Sequence, residues 1–364
     1  MRVLLVTNDY PPKPGGIQQY LAGLVGSLPA EVRVLAPRDD DATPGVNRDR
    51  RRFMWPTRRV RWWVRTEVED FDPDIVLFGA PYPLAQMGPD LRRQTGVPYG
   101  VLCHGAEITL PAAFPVTRSI VRYPLRRADV VFAVSRFTTH RVERLVGRPV
   151  RTVGAGVDPA FAPGLRPGGV SVVGCVSRFV PRKGQRRVIE ALASLRIDGL
   201  AIEGLFVGAG RDETALRRLA DRLGVPCRFE VRVPYHRLPG LYREMSVFAM
   251  PCRSRWFGLE VEGLGVVYLE AAATGLAVIA GDSGGAPETV LPGVTGFVVD
   301  RTDALVEALR ILIEDPALAT TMGRQGRRRI VDEWSWESVS DRFMEGFTAA
   351  VAGVERGGGD ASSS

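Results

Sequence analysis

Two stretches of this 364-residue chain carry side chains whose types and spacing suit phosphate and sugar chemistry. Ser177-Arg178-Phe179-Val180-Pro181-Arg182-Lys183-Gly184-Gln185 sets Arg178 and Lys183 five residues apart, in what reads as a loop between a strand and a helix. Glu262-Gly263-Leu264-Gly265-Val266-Val267-Tyr268-Leu269-Glu270 sets two carboxylates eight apart around a Gly-rich helix start. Arg offers a rigid planar fork and Lys a flexible point charge, and together they match a nucleoside diphosphate. Charge builds on a departing phosphate oxygen in the transition state, so fixed cations there lower the barrier. The N–H groups of Leu264, Gly265, Val266 and Val267 would sit at a helix start that favours an anion. Carboxylates accept hydrogen bonds from hydroxyls: Glu270, one turn into the helix, from a ribose, and Glu262, on the loop side, from a transferred sugar. The combination points to a nucleotide-activated sugar.

Such groups need a scaffold that brings loops together. Residues 2–6 are a short apolar run, followed by a Pro/Gly loop and a helix-like stretch over 17–28. Runs at 32–36, 75–78, 97–103 and 129–134 read as further buried strands. Short apolar runs separated by helical spacers indicate parallel β-α units. The Gly/Pro-rich stretch 154–169 reads as a linker. The pattern then restarts, with strands at 170–176 and 201–207, helices at 184–196 and 211–223, and strands near 246–250, 276–280 and 296–299. The fold class is α/β, with two Rossmann-like doubly wound domains over 1–160 and 161–335. Ligands in such sheets sit at the carboxyl ends of the strands, which predicts an interdomain cleft. From 303 the chain is mostly helical, and the Gly/Ser-rich tail 353–364 is predicted to be disordered.

A second candidate region is the turn Pro14-Gly15-Gly16-Ile17-Gln18, between the first strand and first helix. Two glycines let the backbone approach a ligand, and equally serve a tight turn. The G-x-G-x-x-G fingerprint is absent here, which argues against a dinucleotide-dependent dehydrogenase. Cys103-His104-Gly105-Ala106-Glu107 follows a predicted strand, and a lone His there reads as structural or functional with equal force. Two D-x-D matches, Asp39–Asp41 and Asp72-Pro73-Asp74, lie in a polar loop and at a strand entry, and neither reads as a metal site.

Composition bounds the class. The chain is 45% hydrophobic and 24% charged, as in ordinary globular proteins. Four cysteines, Cys103, Cys175, Cys227 and Cys252, form no C-x-x-C pair, so neither zinc nor a disulfide framework is expected. The start of the chain turns polar too early for a signal peptide, and no apolar run approaches a membrane span. A cytoplasmic protein is expected. The net charge of +7 is carried largely by arginine, clustered at 48–52 and in Arg58-Arg59-Val60-Arg61-Trp62-Trp63-Val64-Arg65. This Arg/Trp stretch reads either as a solvated face or as a peripheral contact with an anionic membrane. No nucleic-acid motif accompanies it.

The E-x7-E spacing, the Ser-Arg-x-x-x-x-Lys-Gly loop and the early Gly-Gly turn resemble retaining glycosyltransferases of family four, which have the two-domain GT-B fold. Thr7-Asn8-Asp9-Tyr10-Pro11-Pro12, Gly15-Gly16-Ile17-Gln18, residues 177–185, residues 261–270 and residues 279–290 resemble an actinobacterial branch. Its members move mannose from GDP-mannose to the inositol 6-position of a phosphatidylinositol mannoside. The resemblance implies that Gly16 lies against the donor phosphate or sugar, and that Gln18 and Asp9 face the acceptor. It implies that Arg178 and Lys183 hold the pyrophosphate, Glu262 the mannose and Glu270 the ribose. Backbone at Arg232 and Val233 should meet the guanine, and His104 the transferred sugar. No cofactor or metal is implied, and a helix over 336–352 should return to the first domain. The implied partners are GDP-mannose, a phosphoinositide glycolipid and the inner face of the cell membrane. Two segments depart from that branch: Ala106 stands where it has a second His, and Arg253-Ser254-Arg255-Trp256-Phe257-Gly258 where it has a small, Gly-rich run. Other classes that fit the residues are a family-four enzyme with a different sugar or acceptor, a UDP-sugar epimerase, and a non-catalytic membrane-binding protein.

Overall fold

Aliphatic runs that alternate with helical sequence all lie in parallel sheets. The computed structural model describes residues 1–13, 15–39, 43–109, 114–165 and 168–359. They form two units, one made of Met1–Gly156 with the segment from Trp336 onward, the other of Val157–Ser335. The break falls inside the stretch read as a linker, and Pro14, residues 40–42, 110–113, 166–167 and 360–364 lie outside the described residues.

The first unit holds β1 (Arg2–Val6), β2 (Glu31–Ala36), β3 (Val46–Arg48), β4 (Ile75–Phe78), β5 (Tyr99–Cys103), β6 (Val130–Ala133) and β7 (Arg151–Thr152). They line up as β3-β2-β1-β4-β5-β6-β7, every pair parallel. Strand order reverses between β1 and β4, so the crevice of this sheet opens beyond their carboxyl ends. Helices α1 (Gly16–Ser27), α2 (Arg58–Phe71), α3 (Gly88–Thr95), α4 (Ala106–Thr109), α5 (Pro115–Arg127) and α6 (Arg136–Val146) connect the strands. Strands covered on both faces read as continuous apolar runs, and β4, β5 and β6 are buried throughout.

The second unit holds β8 (Ser171–Val176), β9 (Ile202–Gly208), β10 (Cys227–Val231), β11 (Val247–Met250), β12 (Ala277–Gly281) and β13 (Gly296–Val299). They line up as β10-β9-β8-β11-β12-β13, again all parallel. The reversal here falls between β8 and β11. Helices α7 (Gln185–Ile197), α8 (Glu213–Leu223), α9 (Leu238–Arg243), α10 (Val266–Ala273), α11 (Thr302–Glu314) and α12 (Pro316–Glu333) complete the unit.

Helix α13 (Trp336–Gly359) packs on the first unit. Phe343 and Phe347 lie against Phe132 of β6, with ring centroids 4.6 and 5.4 Å away. Ser340 Oγ donates to the Ser27 carbonyl at 3.1 Å. The Trp336 indole lies against Gly23 and Gly156; a Cβ at those positions would come within 2.1 and 2.2 Å of it. The helix continues to Gly359, six residues past the point where disorder was expected. A Gly-rich composition is a weak prior against a helix already anchored by two buried phenylalanines and the partly buried Trp336.

The Arg/Trp stretch forms the start of α2. Val60, Val64, Val68 and Phe71 are buried, while Trp62 is exposed. Arg59 pairs with Asp49, Arg61 with Asp90 at 3.1 Å and Arg65 with Glu69 at 3.4 Å. Three of its four arginines are thus partnered within the fold. Asp72 is the left-handed C-cap of α2, and Asp74 accepts from the Arg2 N–H at 2.7 Å, so this D-x-D match closes a strand entry. In the other, Asp40 and Asp41 lie outside the described residues. Among the described residues no cluster of three His, Cys, Asp or Glu side chains forms a metal site, and no helix is long and apolar enough to cross a membrane.

Candidate functional site

In the second unit the loops that leave β8 and β11 flank the strand-order reversal. The 177–185 loop is fastened at both ends. Phe179 is fully buried, and the Gln185 amide donates to Ser177 Oγ at 2.8 Å and to the Arg178 carbonyl at 2.9 Å. Pro181–Lys183 forms a 3-10 turn, closed by Gly184 at φ 84°. A Cβ at Gly184 would stand 2.5 Å from the Pro251 carbonyl oxygen, so this glycine meets a left-handed backbone and a close approach together. The Arg253 N–H reaches the Arg182 carbonyl at 2.9 Å and joins the two loops.

That juncture places Lys183 and Glu262 in contact. Lys183 Nζ donates to Glu262 Oε2 at 2.7 Å, and Arg182 Nη1 donates to the same oxygen at 2.6 Å. Arg182 Nε lies 3.6 Å from Glu260, and Glu260 in turn pairs with Arg255 at 3.5 Å. Lys183 and Glu262 are each 8% exposed. Burial by itself raises the Glu262 pKa. The charges of Lys183 and Arg182, with their hydrogen bonds, outweigh it and hold the carboxyl at about 2. Glu262 is therefore a fixed carboxylate. Its own backbone is tethered as well, since its N–H meets Ser283 Oγ at 3.3 Å and its carbonyl accepts from Gly285 at 2.9 Å.

Sequence reasoning paired Arg178 with Lys183. Both were assigned to the diphosphate; the structure adds Arg182, which pairs with the Glu262 carboxylate, while Arg178 is exposed and has no ion pair among the described residues. Arg182 stood in the quoted loop, but a strand-to-helix connection does not reveal which of its side chains turn inward. Three cations (Arg182, Lys183, Arg255) are paired with two carboxylates here, so positive charge remains for an anion. The Lys183 ammonium has three donors and uses one on Glu262.

The second carboxylate lies in a different environment. Helix α10 starts at Val266, with Gly265 at φ 87° as its N-cap. A Cβ on Gly265 would stand 2.6 Å from the Tyr268 ring and 3.4 Å from Glu262, so the helix start and Glu262 are packed against each other. The first-turn N–H groups, Val266 and Val267 among them, have no intrahelical acceptor. Leu264 is buried beneath this turn. Glu270 is 5% exposed and accepts from Tyr242 Oη at 2.8 Å and Tyr235 Oη at 3.4 Å. Burial raises its pKa to about 7, and the two phenols oppose that only in part. The same contacts, with burial first, push both phenols upward. Tyr235 follows Arg232 and Val233, where the chain leaves β10 with Arg232 at φ 55°. That brings the expected base-contacting backbone within three residues of a Glu270 partner. Neither tyrosine was anticipated, because one lies in the turn after β10 and the other in α9, both distant from Glu270 in sequence.

In the first unit the candidate residues gather beyond β1, β4 and β5. Asn8 makes two bonds to Met54, at 2.8 and 3.0 Å, and pins the loop after β1. Asp9 Oδ1 accepts from Gln18 Nε2 at 2.7 Å and from Lys13 Nζ at 3.2 Å. The Gln18 amide oxygen covers Gly15, where a Cβ would stand 2.1 Å from it. Gly16 differs: its φ is not positive, and a Cβ there would meet nothing within 4 Å. Nothing in the described fold requires glycine at 16. His104, after β5, has Nε2 3.0 Å from the Gly79 carbonyl and its ring edge-on to Tyr20 at 5.4 Å. A carbonyl only accepts, so in this contact Nε2 is the donor. The Glu107 carboxylate accepts the N–H groups of His104 and Gly105 and holds the turn.

The family model described as glycosyl transferases group 1 matches residues 158–329, and the one described as glycosyltransferase family 4 matches 14–161. A GDP-mannose-dependent alpha-(1-6)-phosphatidylinositol monomannoside mannosyltransferase of Mycolicibacterium smegmatis is 41% identical, over 94% of this chain and 97% of its own. The chain belongs to the family-four glycosyltransferases. A GDP-mannose-dependent monoacylated alpha-(1-6)-phosphatidylinositol monomannoside mannosyltransferase of Corynebacterium glutamicum is 34% identical to this glycosyltransferase, over 94% of this chain and 96% of its own. The fold matches sucrose-phosphate synthase of Thermosynechococcus elongatus with a TM-score of 0.80 at 19% identity, covering 97% and 99% of the two chains. Two Rossmann-like domains with parallel sheets, as expected for GT-B, account for that likeness.

Proposed function

We propose that this glycosyltransferase moves mannose from GDP-mannose to the inositol 6-hydroxyl of a phosphatidylinositol mannoside, with retention at the anomeric carbon. The observation that carries the reading is the buried Lys183–Glu262–Arg182 cluster beside a helix start, in a chain 41% identical over nearly its whole length to an enzyme named for that reaction.

In this reading Lys183 and the exposed Arg178 take the diphosphate, helped by the free N–H groups of α10. Arg182 works through Glu262: it holds the carboxylate ionised and aimed, so that Glu262 accepts from hydroxyls of the mannose. Glu270 accepts from the ribose. In the first unit Gly16 leaves room for the donor and Gln18 with Asp9 serves the acceptor. His104 Nδ1 accepts from a hydroxyl of the mannose. The bond from mannose C1 to the phosphate oxygen breaks while C1 bonds to the inositol oxygen on the same face. The inositol proton passes to the departing phosphate oxygen, whose charge the cations stabilise. No protein nucleophile is needed for this, and no metal if Arg178 and Lys183 neutralise the phosphates.

A lipid acceptor calls for a membrane-facing surface, and α5 is better suited to it than α2. Phe114, Val116, Ile120 and Tyr123 are exposed along α5, which carries Arg118, Arg122, Arg126 and Arg127 and no acid. In this reading α5 lies on the anionic cytoplasmic leaflet.

Titration calorimetry with GDP-mannose, UDP-glucose and UDP-GlcNAc tests the donor. The reading expects GDP-mannose to bind at least about tenfold more tightly than either UDP-sugar; preference for a UDP-sugar would overturn it.

A further inference from the structure

The turn at 255–260 is built against local preference. Trp256 and Phe257 both have left-handed backbones, with φ 49° and 55°. Bulky residues without a glycine's freedom are strained there, and strain of this kind persists where the surroundings or a function impose it. Both rings face outward. Trp256 is 60% exposed and Phe257 fully so. A tip of glycine, or of asparagine to a lesser degree, would relieve the strain and remove the exposed rings.

The turn is also wired into the site. Arg255 and Glu260 close it by paired backbone bonds, N–H to carbonyl at 2.9 Å one way and 3.2 Å the other. The Arg255 guanidinium lies over the Trp256 ring, 5.2 Å from its centroid, and pairs with Glu260 at 3.5 Å. Glu260 pairs with Arg182, and Arg182 holds Glu262. A continuous chain of contacts therefore runs from the Trp256 ring to the carboxylate assigned to the transferred sugar. Ser254 Oγ lies 3.2 Å from Ser283 Oγ, which also meets the Glu262 N–H, so the near side of the turn is held as well.

We propose that Trp256 and Phe257 form an aromatic platform for a pyranose or inositol ring of the acceptor. Such rings pair an apolar C–H face, which stacks on an aromatic, with hydroxyl edges, which suit Arg253, Ser254 and Arg255. The acceptor oxygen must come within bonding distance of the anomeric carbon of the sugar at Glu262, which places its ring at this end of the site. The platform acts on acceptor selection and leaves the diphosphate site alone. This inference rests on the glycosyltransferase reading of the Lys183–Glu262 cluster.

The test uses Trp256→Ala, Phe257→Gly and the wild type. Each is assayed with the lipid acceptor and with its deacylated, water-soluble headgroup, and GDP-mannose affinity is measured separately. The expected result is a rise of about tenfold in acceptor KM for both forms, with GDP-mannose affinity unchanged and, for Phe257→Gly, an unchanged or higher melting temperature. A rise confined to the lipid form would assign the rings to acyl chains or bilayer and overturn the proposal. Unchanged KM for both forms would overturn it too. If the wild type fails to bind GDP-mannose, the underlying reading fails, and that outcome is visible independently of the variants.

Discussion

Replacing Glu270 with Gln should stabilise the protein at alkaline pH and weaken its hold on the nucleotide. Glu270 is a buried carboxyl whose pKa burial raises from the usual 4.5 to about 7, against the pull of two tyrosine hydroxyls. Below pH 4.5 the folded and unfolded chains both carry the proton, and the group costs nothing. As pH rises from 4.5 to 7 the unfolded chain ionises and the folded chain does not, so stability falls. Above about 7 the loss is complete, and the difference between the two pKa values sets it at about 3 kcal/mol. Gln keeps the shape and cannot ionise. Urea unfolding should therefore show Glu270→Gln matching the wild type near pH 4.5 and exceeding it by about 3 kcal/mol near pH 8. The functional cost appears in binding. A ribose that donates to the carboxylate selects the ionised form, so GDP should release up to about half a proton near pH 7, where the group is half protonated. Calorimetry in buffers of different ionisation enthalpy reads that release, and Glu270→Gln should abolish it. A stability difference that does not vary with pH, or equal proton release in both proteins, would refute the reasoning.

Other outcomes follow from the same geometry. Lys183→Ala should lower turnover at least ~100-fold, because a fixed cation is lost where phosphate charge develops; steady-state kinetics with GDP-mannose checks this, and near-normal turnover would remove Lys183 from the site. Gly16→Ala should leave the melting temperature unchanged, since a Cβ there touches nothing, yet depress turnover; a stability loss without an activity loss would make Gly16 a turn residue only. Trp336→Ala should cost about 2–3 kcal/mol, less than a fully buried aromatic, by removing the partly buried indole packed against Gly23 and Gly156, measured by chemical unfolding. Charge reversal at Arg118, Arg122 and Arg126 should reduce cosedimentation with anionic vesicles by about 1 kcal/mol per residue, and reversal at Arg59 and Arg61 by less, because those two are already paired.

Much of this molecule was legible in its sequence for an identifiable reason. Strands covered on both faces are continuous apolar runs, so β1, β4, β8, β11, β12 and β13 stood out within a residue or two. The elements that escaped are β3, β7 and β10, which are edge strands and short or polar. At the site, Glu262, Glu270 and Lys183 announced themselves by spacing, and Gly265 by its place at the helix start. What spacing cannot carry is the direction in which a loop side chain turns. Hence Arg182, the residue that pairs with Glu262, did not stand out in its loop. The tyrosines on Glu270 escaped because they come from separate elements, α9 and the turn after β10, and meet the carboxylate only in the folded sheet. The strain at Trp256 and Phe257 likewise has no signature in residue type alone.

The central claim is tested most directly by product analysis. Purified enzyme incubated with GDP-mannose and a phosphatidylinositol monomannoside should yield one added mannose, α-linked at the inositol 6-hydroxyl, with one GDP released per transfer. A β-linked product, a product at another hydroxyl, or an epimerised sugar nucleotide with no change in the acceptor would contradict the account.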